Sequence, residues 1–171
     1  MKTANNWPKN NKKDIIGFYG EMGKNQTRVN VPYPLKFSWD NKLSVSKISA
    51  HEKVADSLQR VLESILDTYG LDEIERLSLN QWGGGFNVRR IRGSSNSWST
   101  HSWGIANDWF PQENGLHVKW EDSTFSKPEY VPFINAWIIE GWNPIGLSSF
   151  NRDSMHIQAT ENDLELLTVF A

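Results

Sequence analysis

Between Ser49 and Tyr69 apolar residues recur at intervals of three and four: Val54, Leu58, Val61, Leu62, Ile65, Leu66 and Tyr69 make one stripe along a predicted helix. Ser49 followed by Glu52 three positions on reads as a capping box, and Gly70 stands where a left-handed residue would end the helix. About twenty residues at ~1.5 Å each span roughly 30 Å, enough to back a small sheet. A second helix is predicted from Pro128 or Glu129 to Glu140, where Val131, Phe133, Ile134, Trp137 and Ile138 fall in helical phase before Gly141. A third is predicted from Asn162 to Val169, capped by Thr160.

Strand-like pieces lie around Arg76 to Leu79, Phe86 to Arg90, Gly104 to Phe110 and Met155 to Ala159, separated by glycine-rich or serine-rich turns. Consecutive strands without intervening helices point to an α+β domain, a small antiparallel sheet with helices packed on one side. Residues 1–45 carry Asn, Lys, Gly and Pro clusters and little periodicity, so an irregular arm packed on the domain is expected there. Phe18, Tyr19, Leu35, Phe37 and Trp39 make it too aromatic for a disordered tail. Residues 46–171 form the expected domain proper, and the chain holds no internal repeat.

Composition narrows the function. A chain of 171 residues suits one domain, and without cysteine any metal must be held by His, Asp or Glu. A net charge of -2 offers no long-range attraction for nucleic acid or anionic lipid, so neither partner is expected. No apolar run is long enough for membrane insertion, and Met1 to Lys13 lacks the apolar core of a secretory signal. Nine tryptophans are a heavy load. Trp82, Trp98, Trp103, Trp120 and Trp142 sit in polar or glycine-rich surroundings where indoles can stack on sugars, although tryptophan more often anchors core and loops.

Two of the four histidines stand in a chemical context. His101 is followed seven positions later by Asp108, across Gly104, in a segment that alternates as a strand would and puts Ala106 and Asp108 on one face. Asp153 and His156 stand three apart on the approach to the strand at Met155. Two imidazoles and one carboxylate, His101, Asp108 and His156, can bind Zn2+ and leave a position free for water, as a catalytic zinc requires. Asp153 then stands beside the last ligand as a general base. His51 and His117 lack such company and read as a hydrogen-bonded or surface histidine.

Ser99 to Asp108 fits S-x-H-x-x-G-x-A-x-D, and Asp153 to His156 fits D-x-M-H. In order and separation these resemble the zinc peptidases of bacterial cell-wall peptides: the D-alanyl-D-alanine carboxypeptidases and the phage L-alanyl-D-glutamate endopeptidases. Phe86 to Gly93 resembles the arginine-bearing segment of that family, and the likeness runs from Leu77 to Gln158. The resemblance implies that His101, Asp108 and His156 bind zinc, that Asp153 is the general base, and that Arg89 holds the substrate carbonyl or its oxyanion. Strand alternation would set Arg90 and Arg92 on the face opposite Arg89. Ser99 is expected to order the ligand loop or to touch substrate. The segment from the arginines through Trp103 looks more like the phage lytic enzymes, which implies an endopeptidase acting on peptidoglycan as an endolysin. A carboxypeptidase and a non-catalytic cell-wall-binding module are the alternatives. The expected protein is monomeric and stays in the host cytoplasm until it is released to the wall.

Overall fold

The computed structural model describes residues 5–147 and 153–169. Its longest helix, α2 (Glu52–Arg76), follows the apolar stripe. Val54, Leu58, Val61, Leu62 and Ile65 are buried there, and Leu66 and Tyr69 pack partly buried beside them. Each fully buried aliphatic side chain contributes about 1.5–3 kcal/mol, so this face fixes the helix against the sheet. Gly70 takes φ 72 and breaks the helical path, after which a final turn continues to Arg76. The capping box is replaced by another device. Ser49 lies in a strand that runs to His51, and the His51 ring accepts the Lys53 backbone N–H as the helix cap.

The fold is α+β, with a sheet of six strands. These are β1 (Gln26–Phe37), β2 (Asp40–His51), β3 (Gln81–Gly84), β4 (Ala106–Trp109), β5 (Asn143–Pro144) and β6 (His156–Gln158), and their spatial order is β2-β1-β3-β4-β6-β5. The sheet is mixed rather than antiparallel throughout, because β3 pairs parallel to β1. The long helix between β2 and β3 carries the chain past β2 to the far edge of β1, and a helical crossover of this kind permits a parallel pair.

The N-terminal region departs most from expectation. It contains α1 (Lys12–Tyr19) and the β1–β2 hairpin, so the expected boundary at residue 45 falls inside β2. Pro32 and Pro34 hide β1 in the sequence, and the pairing accommodates them with a register shift between Asn30 and Leu35. Most of β2 is exposed on both faces, so it lacks the alternation that betrays a strand and is held by its main-chain ladder to β1.

Two short helices complete the fold, α3 (Pro111–Asn114) and α4 (Val131–Ile139), the latter where the sequence places it. The strand expected at Arg76 to Leu79 forms five residues later, as β3. Phe86 to Arg90 is loop, with an isolated bridge from Arg90 to Trp98. Residues 161–169 are not helical. There the Leu167 backbone is bonded through both N–H and C=O to the Asn135 side chain, and Asn162 donates to the carbonyls of Gly141 and Trp142, so tertiary partners replace an i to i-4 ladder.

Candidate metal centre

Each ligand is placed by its own local device. His101 lies on a 3-10 turn, Thr100–Trp103, where the Ser99 hydroxyl accepts the His101 N–H and Gly104, at φ 70, closes the turn. That left-handed φ strains any residue with a Cβ, and a Cβ there would also displace the end of the Gln26 side chain, so glycine is favoured. Asp108 and His156 are directly opposed across the antiparallel pair of β4 and β6. Asp153 sits in the turn entering β6 and bridges to Leu116.

These elements bring His101, Asp108 and His156 together, buried, with one ligand atom of each inside a 4.8 Å span. Asp108 Oδ1 stands 3.3 Å from His101 Nε2 and 3.2 Å from His156 Nδ1. The remaining ring nitrogens are committed elsewhere. His101 Nδ1 donates to the Gly85 carbonyl at 2.7 Å, and His156 Nε2 donates to Gln158 Oε1 at 2.8 Å. Each neutral imidazole has one proton, so His101 Nε2 and His156 Nδ1 are left as bare lone pairs facing the carboxylate. His101 Nε2, Asp108 Oδ1 and Asp153 Oδ1 are buried without any hydrogen-bond partner. Unpaired buried polar atoms are costly, and a carboxylate oxygen among imidazole lone pairs most of all. A divalent cation satisfies all three ligand atoms at once, and the group can hold a metal ion.

The electrostatics agree. Burial alone would raise the Asp108 carboxyl, but the two imidazoles reverse this and hold it well below the ordinary carboxylate range. Burial raises the Asp153 carboxyl, with Asp108 adding to the rise while His156, His101 and Arg89 oppose it. For His156 burial works downward, and the carboxylates of Asp108 and Asp153 and the Gln158 hydrogen bond carry it above its usual value. Asp153 is thus a carboxyl of raised proton affinity beside the cluster.

A cleft of about 730 Å³ opens over this cluster. Arg89 and Arg92 both line it, whereas Arg90 lies over the Trp98 ring at 4.3 Å, so the alternation expected of this segment does not hold in a loop. The Ser102 hydroxyl fixes the Arg89 backbone through its N–H and its carbonyl. Ser99 orders the loop and also faces the cleft. Of the other histidines, His117 sits exposed on the rim, and His51 is buried with both nitrogens satisfied, by the Tyr19 carbonyl and the Lys53 N–H. Trp82, Trp103 and Trp142 are buried anchors, while Trp98 and Trp120 are half-buried.

Sequence reasoning missed Gly85, Thr100 and Gln158, which orient the ligands, and Asn10 to Lys12, which form a wall of the cleft. Two signals were present. Gln158 stands two residues after His156 in a strand and shares its face. The run Gly83 to Gly85 marks a close approach, since a Cβ on Gly85 would come to 2.8 Å from Asn107 Oδ1. Comparison with protein-family models, curated proteins and solved structures finds no match to this chain. Among the described residues no helix is long and apolar enough to cross a membrane.

Proposed function

We propose that this chain is a zinc metallopeptidase that hydrolyses an amide bond in the peptide stem of bacterial peptidoglycan, an L-alanyl-D-glutamate endopeptidase of the endolysin kind. One observation carries the reading: three buried ligand atoms, two of them without partners, converge beside the unpartnered carboxyl oxygen of Asp153 in an open cleft. Two histidines and one carboxylate are the donor set of a catalytic zinc, and the motif resemblance supplies the substrate class.

When bound, zinc supplies a Lewis acid and lowers the pKa of a water from about 15.7 toward ~7. His101, Asp108 and His156 would hold it, the two imidazole rings oriented by Gly85 and Gln158. Asp153 takes the proton of the attacking water on its carboxylate and returns it to the leaving amine nitrogen. Its raised proton affinity suits both halves of that exchange. Arg89 supports the carbonyl oxygen as negative charge builds there, where preorganised cations help most. With Asp108 and Asp153 in these roles, the other charged groups on the cleft wall, Lys12, Arg89 and Arg92, are all cationic, which suits a stem peptide bearing free carboxylates.

The test is to measure the metal content of the purified protein and to weigh the fragments it releases from cell-wall peptides with and without chelator. Stoichiometric zinc and chelator-sensitive release of a fragment ending at L-alanine are expected. Release of a terminal D-alanine would make it a carboxypeptidase instead, and intact peptides with zinc bound would leave a binding module.

A further inference from the structure

We propose that Gln158 is a positioning residue that fixes the proton of the His156 ring on Nε2 and so keeps Nδ1 bare for a cation. The inference rests on reading His101, Asp108 and His156 as metal ligands. Both ligand rings face Asp108 Oδ1; for His101 the Gly85 backbone carbonyl, which can only accept, settles the proton, and for His156 a side chain must do so. His156 Nδ1 lies 3.2 Å from Asp108 Oδ1, and without a metal that carboxylate draws a proton onto Nδ1, where the lone pair must be free for ligation. A group on the far side of the ring has to pull the proton the other way. Gln158 Oε1 does so from 2.8 Å, buried at 3% exposure, and it has no proton of its own to give.

The amide is itself oriented. The Thr100 hydroxyl donates to Gln158 Oε1 at 3.0 Å, and Gln158 Nε2 donates to Thr160 Oγ1 at 2.8 Å. Thr100 Oγ1 also lies 3.2 Å from His156 Nε2, and Thr100 directly precedes His101, so one residue ties the two ligand segments together. Turning the amide over would aim its NH2 at Nε2, force the ring proton onto Nδ1 and remove His156 from the ligand set. A glutamine, unlike a glutamate, holds the tautomer without adding a third carboxylate beside Asp108 and Asp153.

Two measurements on the full chain test this. Long-range proton–nitrogen spectra of the histidine rings above pH 8 report the tautomer with or without metal, and competition with a chelating indicator reports the affinity for Zn2+ alone. The expected result is an Nε2–H tautomer for His156 in the zinc-free and zinc-loaded protein. Gln158→Leu should lose that preference and bind zinc about 10- to 100-fold more weakly with an unchanged circular dichroism spectrum. Gln158→Glu, which keeps an acceptor, should bind zinc at least as tightly as the parent. An Nδ1–H tautomer in the parent, a folded Gln158→Leu with parental affinity, or a Gln158→Glu more than tenfold weaker than the parent would each overturn the proposal. If Gln158→Leu does not fold, the parent spectrum and Gln158→Glu still decide. A parent that binds no zinc yet keeps the Nε2–H tautomer supports the positioning and refutes the metal reading alone.

Discussion

The strands β4 and β6 have two faces, almost equally buried and chemically opposite. On one, Trp109 and Ile157 are 1% and 0% exposed and sit in a core where Trp109 packs on Phe133 and Trp137 at ring centroid distances of 6.1 and 5.6 Å. On the other, Asp108 and His156 are 8% and 7% exposed and belong to the cluster that can hold a metal ion. The core face has unpaired atoms too, the indole N–H groups of Trp109 and Trp137, but these are single neutral donors. The cleft face sets a carboxylate oxygen 3.2–3.3 Å from two imidazole nitrogens. Burial therefore does not distinguish a site from a core. Unsatisfied charge held in register does, because folding tolerates that cost only where a ligand removes it.

The sharpest break in the comparison is to remove a ligand. His156→Ala should lose stoichiometric metal, read by elemental analysis, and with it all hydrolysis. Asp153→Ala should keep the metal and lose about 10²- to 10⁴-fold in turnover, the usual worth of a positioned general base. Full activity in Asp153→Ala would remove that residue from the mechanism. The core face should respond the other way. Trp137→Ala, which empties a fully buried indole site, should cost about 3–5 kcal/mol in denaturant unfolding and leave zinc stoichiometry intact at low temperature.

The same contrast explains what the sequence could disclose. The helices α2 and α4 were legible because their apolar stripes must meet the core, and the convergence of His101, Asp108 and His156 because a motif fixes both residue type and spacing. The β1–β2 hairpin was not, since its prolines and its two-sided exposure erase the period of a strand while the main-chain ladder holds it regardless. The short span 161–169 carried helical spacing, yet the Asn135 and Asn162 side chains outcompete a helix too short to sustain itself. Arg89 and Arg92 share a cleft because they lie on a loop, where alternation has no force. Gln158, by contrast, shares the face of His156 through strand period alone, so the ring it orients was one step of reasoning away.

The smallest effect separates the ligand histidines from the third buried one. His51 has both nitrogens engaged: Nδ1 accepts the Lys53 N–H at 3.1 Å, so Nε2 carries the proton it donates to the Tyr19 carbonyl at 2.7 Å. It has no room for a metal and no acceptor for a second proton, and burial lowers its pKa below the ordinary value near 6.5. The unfolded chain then takes up a proton as pH falls through about 6.5, while the folded chain resists until the lowered folded value is reached. Stability should decline across that window by up to about 1.4 kcal/mol per pH unit from this group alone, and be restored as pH rises above it. Unfolding in denaturant between pH 7.5 and 5.5 with chelator present removes the metal, and the difference between parent and His51→Gln cancels the titration of His156 that both share. His51→Gln, whose amide can accept from the Lys53 N–H, should start less stable and show a shallower acid slope than the parent. An unchanged slope would mean that the ionisation of the buried cap is not what acid attacks in the metal-free fold.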